Sequence, residues 1–381
     1  MIREQELSAY LNGIEPTDKM AQAQAKNRLD QLVKPLGSLG VLEELAAKLA
    51  GIFGSPDYEL SRKVNVIFCA DNGVFDEGYN KYPQSISRLV AEIMAAGRGG
   101  GSAIAGALGI PVKIVDLGLK GSYGAGEAIR RSSHRGPGPC RTEILHQKLC
   151  PEGTGNITQG PAMDRKQALE AIGAGIGEAE ELIGQGFSVL AAGEIGLGNT
   201  STAAAVLAAL TGHDSLFLTG MGSGSVGEAY QRKVEAVSRA LERNRPDPDD
   251  VLDVLAKVGG LDICAMTGFY LACARRRRPA VLDGYISFAA ALCAQRLNPL
   301  VSGYLISSHL SEEKGALLAA EALEVKPPLH MAMRLGEGTG ACLLFPIMDC
   351  AAALLKEMAS FQDLGCWFPN DWPPAGQDDS H

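Results

Sequence analysis

A doubly wound α/β fold, with helices on both faces of a parallel sheet, is predicted by three features of the sequence. Short, continuously apolar runs end in polar or glycine clusters, and alanine-rich amphipathic stretches lie between them. Glycine reaches 46 of 381 residues, against a usual ~7%, so many tight turns and backbone-lined pockets are expected. Runs apolar throughout suit strands covered on both faces, and strand–helix alternation implies parallel pairing. Ligands of such sheets bind beyond the carboxyl ends of the strands.

Residues 1–56 read as helical. Asn27 to Pro35 and Ser38 to Ile52 carry apolar residues at i, i+3 and i+4 intervals, and Pro35, Gly37 and Gly40 separate them. From Val64 the pattern switches. VNVIFCA runs into Asp71-Asn72-Gly73, VKIVDLG ends at Gly118, and FSVLAAG runs into Glu194. PAVLDG covers 279–284, and LVSGYLI leads into Ser307-Ser308-His309. These are the candidate buried strands. Arg165 to Ile183 and Thr202 to Leu210 read as crossover helices, and Ala341 to Phe361 as a further helix. Residues 1–56 with 341–381 are expected to form a small helical domain, and 57–340 a large α/β domain that binds substrate and carries the chemistry.

Composition excludes several functions. With 46% hydrophobic and 21% charged residues the chain can build a core, unlike a disordered protein. Its 35 Lys and Arg against 44 Asp and Glu give a net charge of -9, which disfavours nucleic-acid binding; the run Arg275 to Arg278 is too short to reverse that. Nine scattered cysteines, mostly in apolar surroundings, read as reduced core thiols. No signal-like segment opens the chain, and the longest charge-free apolar stretch, Ile195 to Gly212, is too polar for lipid. A cytoplasmic protein without membrane contact is expected. GxSxG, HExxH, GxxxxGK[ST] and CxxC motifs do not occur.

Gly193 to Leu210 (GEIGLGNTSTAAAVLAAL) places glycines and Asn199-Thr200-Ser201-Thr202 between a strand and a helix. Such a junction suits a phosphate, and it equally suits an ordinary helix cap. TGMGSGSVGEAYQRK ends in Lys233, able to reach a phosphate or else simply solvated. In RLGEGTGA, Glu337 sits between glycines beside Leu335. It can be a general base with a raised pKa or a residue complementing a helix dipole. Glu194 is a second glycine-flanked carboxylate. Tyr82-Pro83-Gln84 can wall an aromatic ligand or form a turn. His309 can polarise a substrate, whereas Ser311 in SEEK reads as a helix cap. His134, Cys140, His146 and Cys150 offer zinc-type ligands at a spacing that matches no standard site.

Taken together these segments resemble the nicotinate-nucleotide:dimethylbenzimidazole phosphoribosyltransferase family of cobalamin nucleotide-loop assembly. The matching pieces are KPLGSLGVLEELA, ADNGVFDEGYNKYPQ, VDLGL, GNITQGPAM, GEIGLGNTSTAAA, LDGYI, SSHLSEEKGA and MRLGEGTGA, in order over roughly residues 27–360. The resemblance implies a Rossmann-like large domain, a small helical domain from both termini, a homodimer and no cofactor. It implies transfer of the 5-phosphoribosyl group of nicotinate mononucleotide to 5,6-dimethylbenzimidazole, with Glu337 as the general base. Glu194, Gly196, Gly198, Asn199, Thr200, Lys233, Asp283 and Ser311 would hold the phosphoribosyl group, and Tyr82, Pro83, Gln84 and Leu335 would wall the acceptor.

Two departures are visible. The family usually has histidine where Asn72 stands, and residues 132–150 look like an insertion. A phenol, adenine or other benzimidazole acceptor, or a non-catalytic nucleotide-binding protein of the same fold, are the competing expectations.

Overall fold

Six strands, β1 (Lys63–Ala70), β2 (Val112–Gly118), β3 (Ile144–His146), β4 (Val189–Ile195), β5 (Ala280–Leu282) and β6 (Leu305–Ser307), form one sheet. Their order is β3-β2-β1-β4-β5-β6, and every pairing is parallel. This computed structural model describes residues 2–124 and 142–364. β4 is buried along its whole length and β1 at every position after Lys63, as expected of strands covered on both faces. The order reverses between β1 and β4, so the switch point opens at Asp71 and Ile195.

Among the described residues the α-helices are α1 (Glu4–Leu11), α2 (Lys19–Asp30), α3 (Val41–Phe53), α4 (Ile86–Ala95), α5 (Gly100–Ala107), α6 (Arg165–Gly184), α7 (Asn199–Thr211), α8 (Ser215–Leu218), α9 (Glu228–Asn244), α10 (Val251–Val258), α11 (Leu261–Arg275), α12 (Tyr285–Leu297), α13 (Ala316–Ala322) and α14 (Thr339–Glu357). Local chemistry sets several ends. The Asp164 carboxylate accepts from Gln167 N while Gln167 reaches back to Asp164 N, a reciprocal cap that starts α6. α11 is buried from Leu261 to Ala274 and packs on α6. α14 packs on α3 and α2 and also on α5, β1, β4 and β5.

Four sequence expectations shift. The helix expected at 27–35 lies earlier: Asp18 accepts from Met20 N and Ala21 N to start α2, and beyond Asp30 the chain pairs Leu32 with Ser360. The expected strand LVSGYLI shortens, because Pro299–Gly303 form a 3-10 turn initiated by Asn298. The terminal helix stops at Glu357, short of Phe361. β3 lies inside the segment read as an insertion.

The arginine run serves the fold. Arg275 donates to Gly13 O and Arg277 to Pro16 O, which ties the N-terminal segment to the end of α11, and Arg276 pairs with Glu180 of α6. Cys69, Cys150, Cys264, Cys273, Cys293 and Cys342 are buried free thiols and Cys350 is exposed. Among the described residues one helix, Thr339–Glu357 rather than the 195–212 stretch, is long and apolar enough to cross a membrane, and it is largely packed against the layers named above.

Candidate active site

A cleft of about 900 Å³ opens over the carboxyl ends of β4, β5 and β6 and is lined by Glu194, Asp283, His309 and Glu337, among others. Glu337 stands where the chain enters α14. One of its carboxylate oxygens, Oε2, accepts the Gly101 N–H at 2.8 Å, so the side chain meets the N-terminus of α5. A Cβ on Gly101 would lie 2.2 Å from Glu337 O; only glycine permits that approach. Burial raises the Glu337 pKa and the nearby Asp283 charge adds to the rise, while the Gly101 and Gly100 amides oppose it. The direction of the shift is the one a general base needs.

A buried carboxyl cluster backs the cleft. Glu194, at the end of β4, has its pKa pushed far up by burial and then by Asp262 and Asp283. Burial also pushes Asp262 up to about 7. Asn199 bridges the two: its Nδ2 donates to Glu194 Oε2, and to Asp262 Oδ2 at 3.3 Å. The Asn199 side chain thus turns its amide toward these carboxylates, while the residue also lines the cleft. Asp283, which also lines the cleft, is bonded to backbone amides. Its Oδ1 accepts from Gly340 N at 2.8 Å and Ala341 N at 3.3 Å, and its Oδ2 from Gly338 N at 3.1 Å, so its carboxylate is occupied with the start of α14.

Gly196 and Thr200 line the cleft where α7 begins, with Gly198 left-handed at φ 88° as its cap. Gly196 cannot carry a side chain, because a Cβ would fall 1.8 Å from Ala70 O. Lys233 is not solvated. It is 2% exposed, and its Nζ donates to Thr200 Oγ1 at 2.8 Å and to Gly220 O at 2.9 Å. Burial lowers its pKa to about 8, against the attraction of Glu313. A buried cation behind a helix N-terminus and a glycine loop, Gly220 to Gly224, suits a phosphate.

Of the expected acceptor wall, Tyr82 and Leu335 line the cleft, joined by Ile86, Val90 and Met221. Pro83 and Gln84 fall outside its lining: Pro83 O accepts from Ile86 N in a turn, and Gln84 lies beside Asp71. Ser311 does line the cleft but caps no helix, since its Oγ accepts from Glu313 N at 3.3 Å and α13 begins only at Ala316. Asn72 also lies outside the lining; its Nδ2 faces Ala70 O and Leu197 O beneath the cleft.

Of the zinc-type candidates, His134 and Cys140 lie outside the described residues. His146 packs on Tyr123 and stands 3.6 Å from Asp116, while Cys150 accepts from Gln167 Nε2 at 3.2 Å. Among the described residues no group of three or more His, Cys, Asp or Glu is arranged for a metal.

Sequence reasoning missed Gly100, Gly101 and Asn65, all of which touch Glu337. GRGGGSA at 97–103 carried a signal in its run of glycines ahead of a helix. Asn65 carried one as an amide in the middle of an apolar strand.

The sequence model of a phosphoribosyltransferase family matches residues 14–365. The chain is similar to the nicotinate-nucleotide–dimethylbenzimidazole phosphoribosyltransferase of Desulforamulus reducens, 42% identical over 360 residues, covering 94% of this chain and 98% of the relative. The enzyme of that name from Yersinia enterocolitica is 40% identical over 365 residues, covering 96% and 99%. The crystal structure of CobT from Thermus thermophilus superposes with a TM-score of 0.83 at 38% identity, covering 91% of this chain and 99% of that one.

Proposed function

The chain belongs to the nicotinate-nucleotide–dimethylbenzimidazole phosphoribosyltransferase family, and on that premise we propose that Glu337 is the general base of its reaction. The enzyme transfers the 5-phosphoribosyl group of nicotinate mononucleotide to 5,6-dimethylbenzimidazole, in cobalamin synthesis. Nicotinate leaves and α-ribazole 5'-phosphate forms. The glycosidic bond from C1' to the pyridinium nitrogen breaks with its electron pair going to nicotinate. The bond from C1' to an acceptor nitrogen forms, and the N–H proton on the acceptor's other nitrogen passes to a base. Attack from the face opposite nicotinate converts a β-linked nucleotide to an α-linked one.

The observation that carries the assignment is the Glu337 carboxylate itself: buried, raised in pKa and lining the cleft. A general base tuned upward toward neutral pH remains ionised there and accepts the proton with more driving force. The α7 N-terminus with Gly196, Gly198 and Thr200, supported from behind by Lys233, holds the phosphoribosyl group, with Ser311 and Ser223 facing the same cleft. Tyr82, Leu335 and Met221 hold the flat acceptor. Glu194, Asn199 and Asp283 support this arrangement without each needing a substrate contact. Holding both substrates in line contributes much of the rate.

Within the same reading, the described residues of 1–56 and 341–364 form a small helical unit and those of 57–340 the catalytic one; packing of α2, α3 and α14 on one another supports this. The enzyme works as a cytoplasmic homodimer on small molecules, without nucleic acid or membrane. The test is the Glu337→Gln variant assayed with nicotinate mononucleotide and dimethylbenzimidazole: loss of turnover with nucleotide still bound supports the base, and wild-type turnover contradicts it.

A further inference from the structure

We propose that Asn65 and Asp283 are positioning residues for Glu337: together they lock the left-handed turn that delivers its carboxylate to the cleft. This rests on the reading of Glu337 as the base. Three consecutive residues, Gly336, Glu337 and Gly338, have φ of 87°, 61° and 67°. Glycine takes that conformation freely, but a glutamate does not. A non-glycine residue persists there when its surroundings over-determine it.

Those surroundings are on hand. Asn65 lies in the middle of β1 and is fully buried, where an amide is costly unless it is hydrogen-bonded. Its Nδ2 donates to Glu337 O at 3.2 Å, and a Cβ on Gly338 would fall 2.2 Å from its Oδ1, so the turn rides directly on the amide. Asp283 holds the other side of the same turn through the amides of Gly338, Gly340 and Ala341. One turn is thus gripped from two strands, by Asn65 of β1 at the carbonyl of Glu337 and by Asp283, just past β5, at the amide of the next residue. Gly193 of β4 completes the seat, since a Cβ there would meet Gly338 N at 2.2 Å.

Capping of α14 alone would also explain the Asp283 contacts, and it predicts lost stability with no particular loss of rate. It leaves the Asn65 bond to Glu337 O unexplained, because a helix start needs acceptors for its amides, not a donor for the carbonyl before it. A charge readout separates the two accounts. Glu337 faces Asp283 from β5 and Glu194 from β4. His309, at the end of β6, stands 3.9 Å from Asp283, Asp262 of α11 lies beyond Glu194, Arg334 lines the cleft on the same loop, and α5 presents only glycines. Of these, Asp283 is the charge that raises the Glu337 pKa.

The test compares Asn65→Ala, Asn65→Ser, Asp283→Asn and Glu337→Gln in the full-length enzyme, with steady-state kinetics across pH and thermal unfolding of each. Asn65→Ala and Asp283→Asn are expected to lower kcat on the order of 10²-fold with KM for nicotinate mononucleotide nearly unchanged. Asn65→Ser, which keeps a donor, should recover part of the loss. Asp283→Asn should move the acid limb of kcat to lower pH, and Asn65→Ala should leave it in place. Folded Asn65→Ala enzyme with wild-type kcat, while Glu337→Gln is inactive, would overturn the positioning role alone. Should Asp283→Asn fail to fold, the two Asn65 variants decide the matter. Wild-type turnover by Glu337→Gln would overturn the base and the positioning role together.

Discussion

Gly101 donates its backbone N–H to the Glu337 carboxylate at 2.8 Å, joining the first turn of one helix to the residue that precedes the start of another. That bond keeps the carboxylate buried yet hydrogen-bonded, so it stays ionisable in a site that disfavours charge. The consequences of this arrangement can be measured one at a time.

Replacing Glu337 by Gln keeps the shape and removes the base. Turnover with dimethylbenzimidazole should fall by about 10²-fold or more, with KM for nicotinate mononucleotide little changed, because the donor site proposed above lies on α7. Steady-state kinetics on both substrates measures the split.

The pH dependence follows in sign from the raised Glu337 pKa. The base acts ionised, so kcat should fall as pH drops through that pKa, placing the acid limb above the ordinary carboxylate value of about 4.3. Steady-state kinetics with dimethylbenzimidazole across pH measures the limb, which should vanish in Glu337→Gln.

Lys233→Met should raise KM for nicotinate mononucleotide by about tenfold or more, the cost of one charge-assisted contact. It should also change the pH dependence of stability. The lysine's pKa in the folded chain is lowered to about 8 from 10.5, so the unfolded chain binds the extra proton between those values, and wild-type stability rises with pH across that window. Relative to Lys233→Met, the wild type should gain up to ~3 kcal/mol between neutral pH and full deprotonation. Urea titrations of both proteins at several pH values test this.

Asn199→Ala removes the amide that bridges Glu194 and Asp262. Stranding buried acceptors of this kind costs about 1–3 kcal/mol, read as a lower urea midpoint, with the larger loss at higher pH, where both carboxyls ionise.

Tyr82 is 51% exposed and lines the cleft. Tyr82→Ala should therefore raise KM for the aromatic acceptor and leave Tm and the nucleotide KM nearly unchanged, which thermal unfolding and kinetics check side by side.

How legible was all this in the sequence? The long buried strands were, because runs such as VNVIFCA and VLAAG satisfy both faces of a sheet at once. β3 was not, since three residues carry no periodic signal, and LVSGYLI misled because Pro299 and Asn298 favour a turn over extension. In the site, the glycines flanking Glu337 suited a base and a helix-dipole residue alike, and the family resemblance is what singled it out as the base. The inward turn of Asn199, the burial of Lys233 and the capping bonds of Asp283 were not legible, because each depends on a partner in another segment of the chain: Asp262, Thr200 and Gly340. Local spacing locates a loop, and tertiary contact decides which way its side chains face. Asn65 was visible as an oddity, an amide among apolar residues, but its partner lies 272 residues away.

The most direct measurement mixes the enzyme with nicotinate mononucleotide and dimethylbenzimidazole, follows nicotinate release and product mass, assigns the anomer by NMR, and runs Glu337→Ala in parallel. Stoichiometric nicotinate and an α-linked ribotide from the wild type, with turnover lost in the variant, is the predicted result. A ribotide formed equally well by Glu337→Ala, or nucleotide binding without turnover in the wild type, would contradict it.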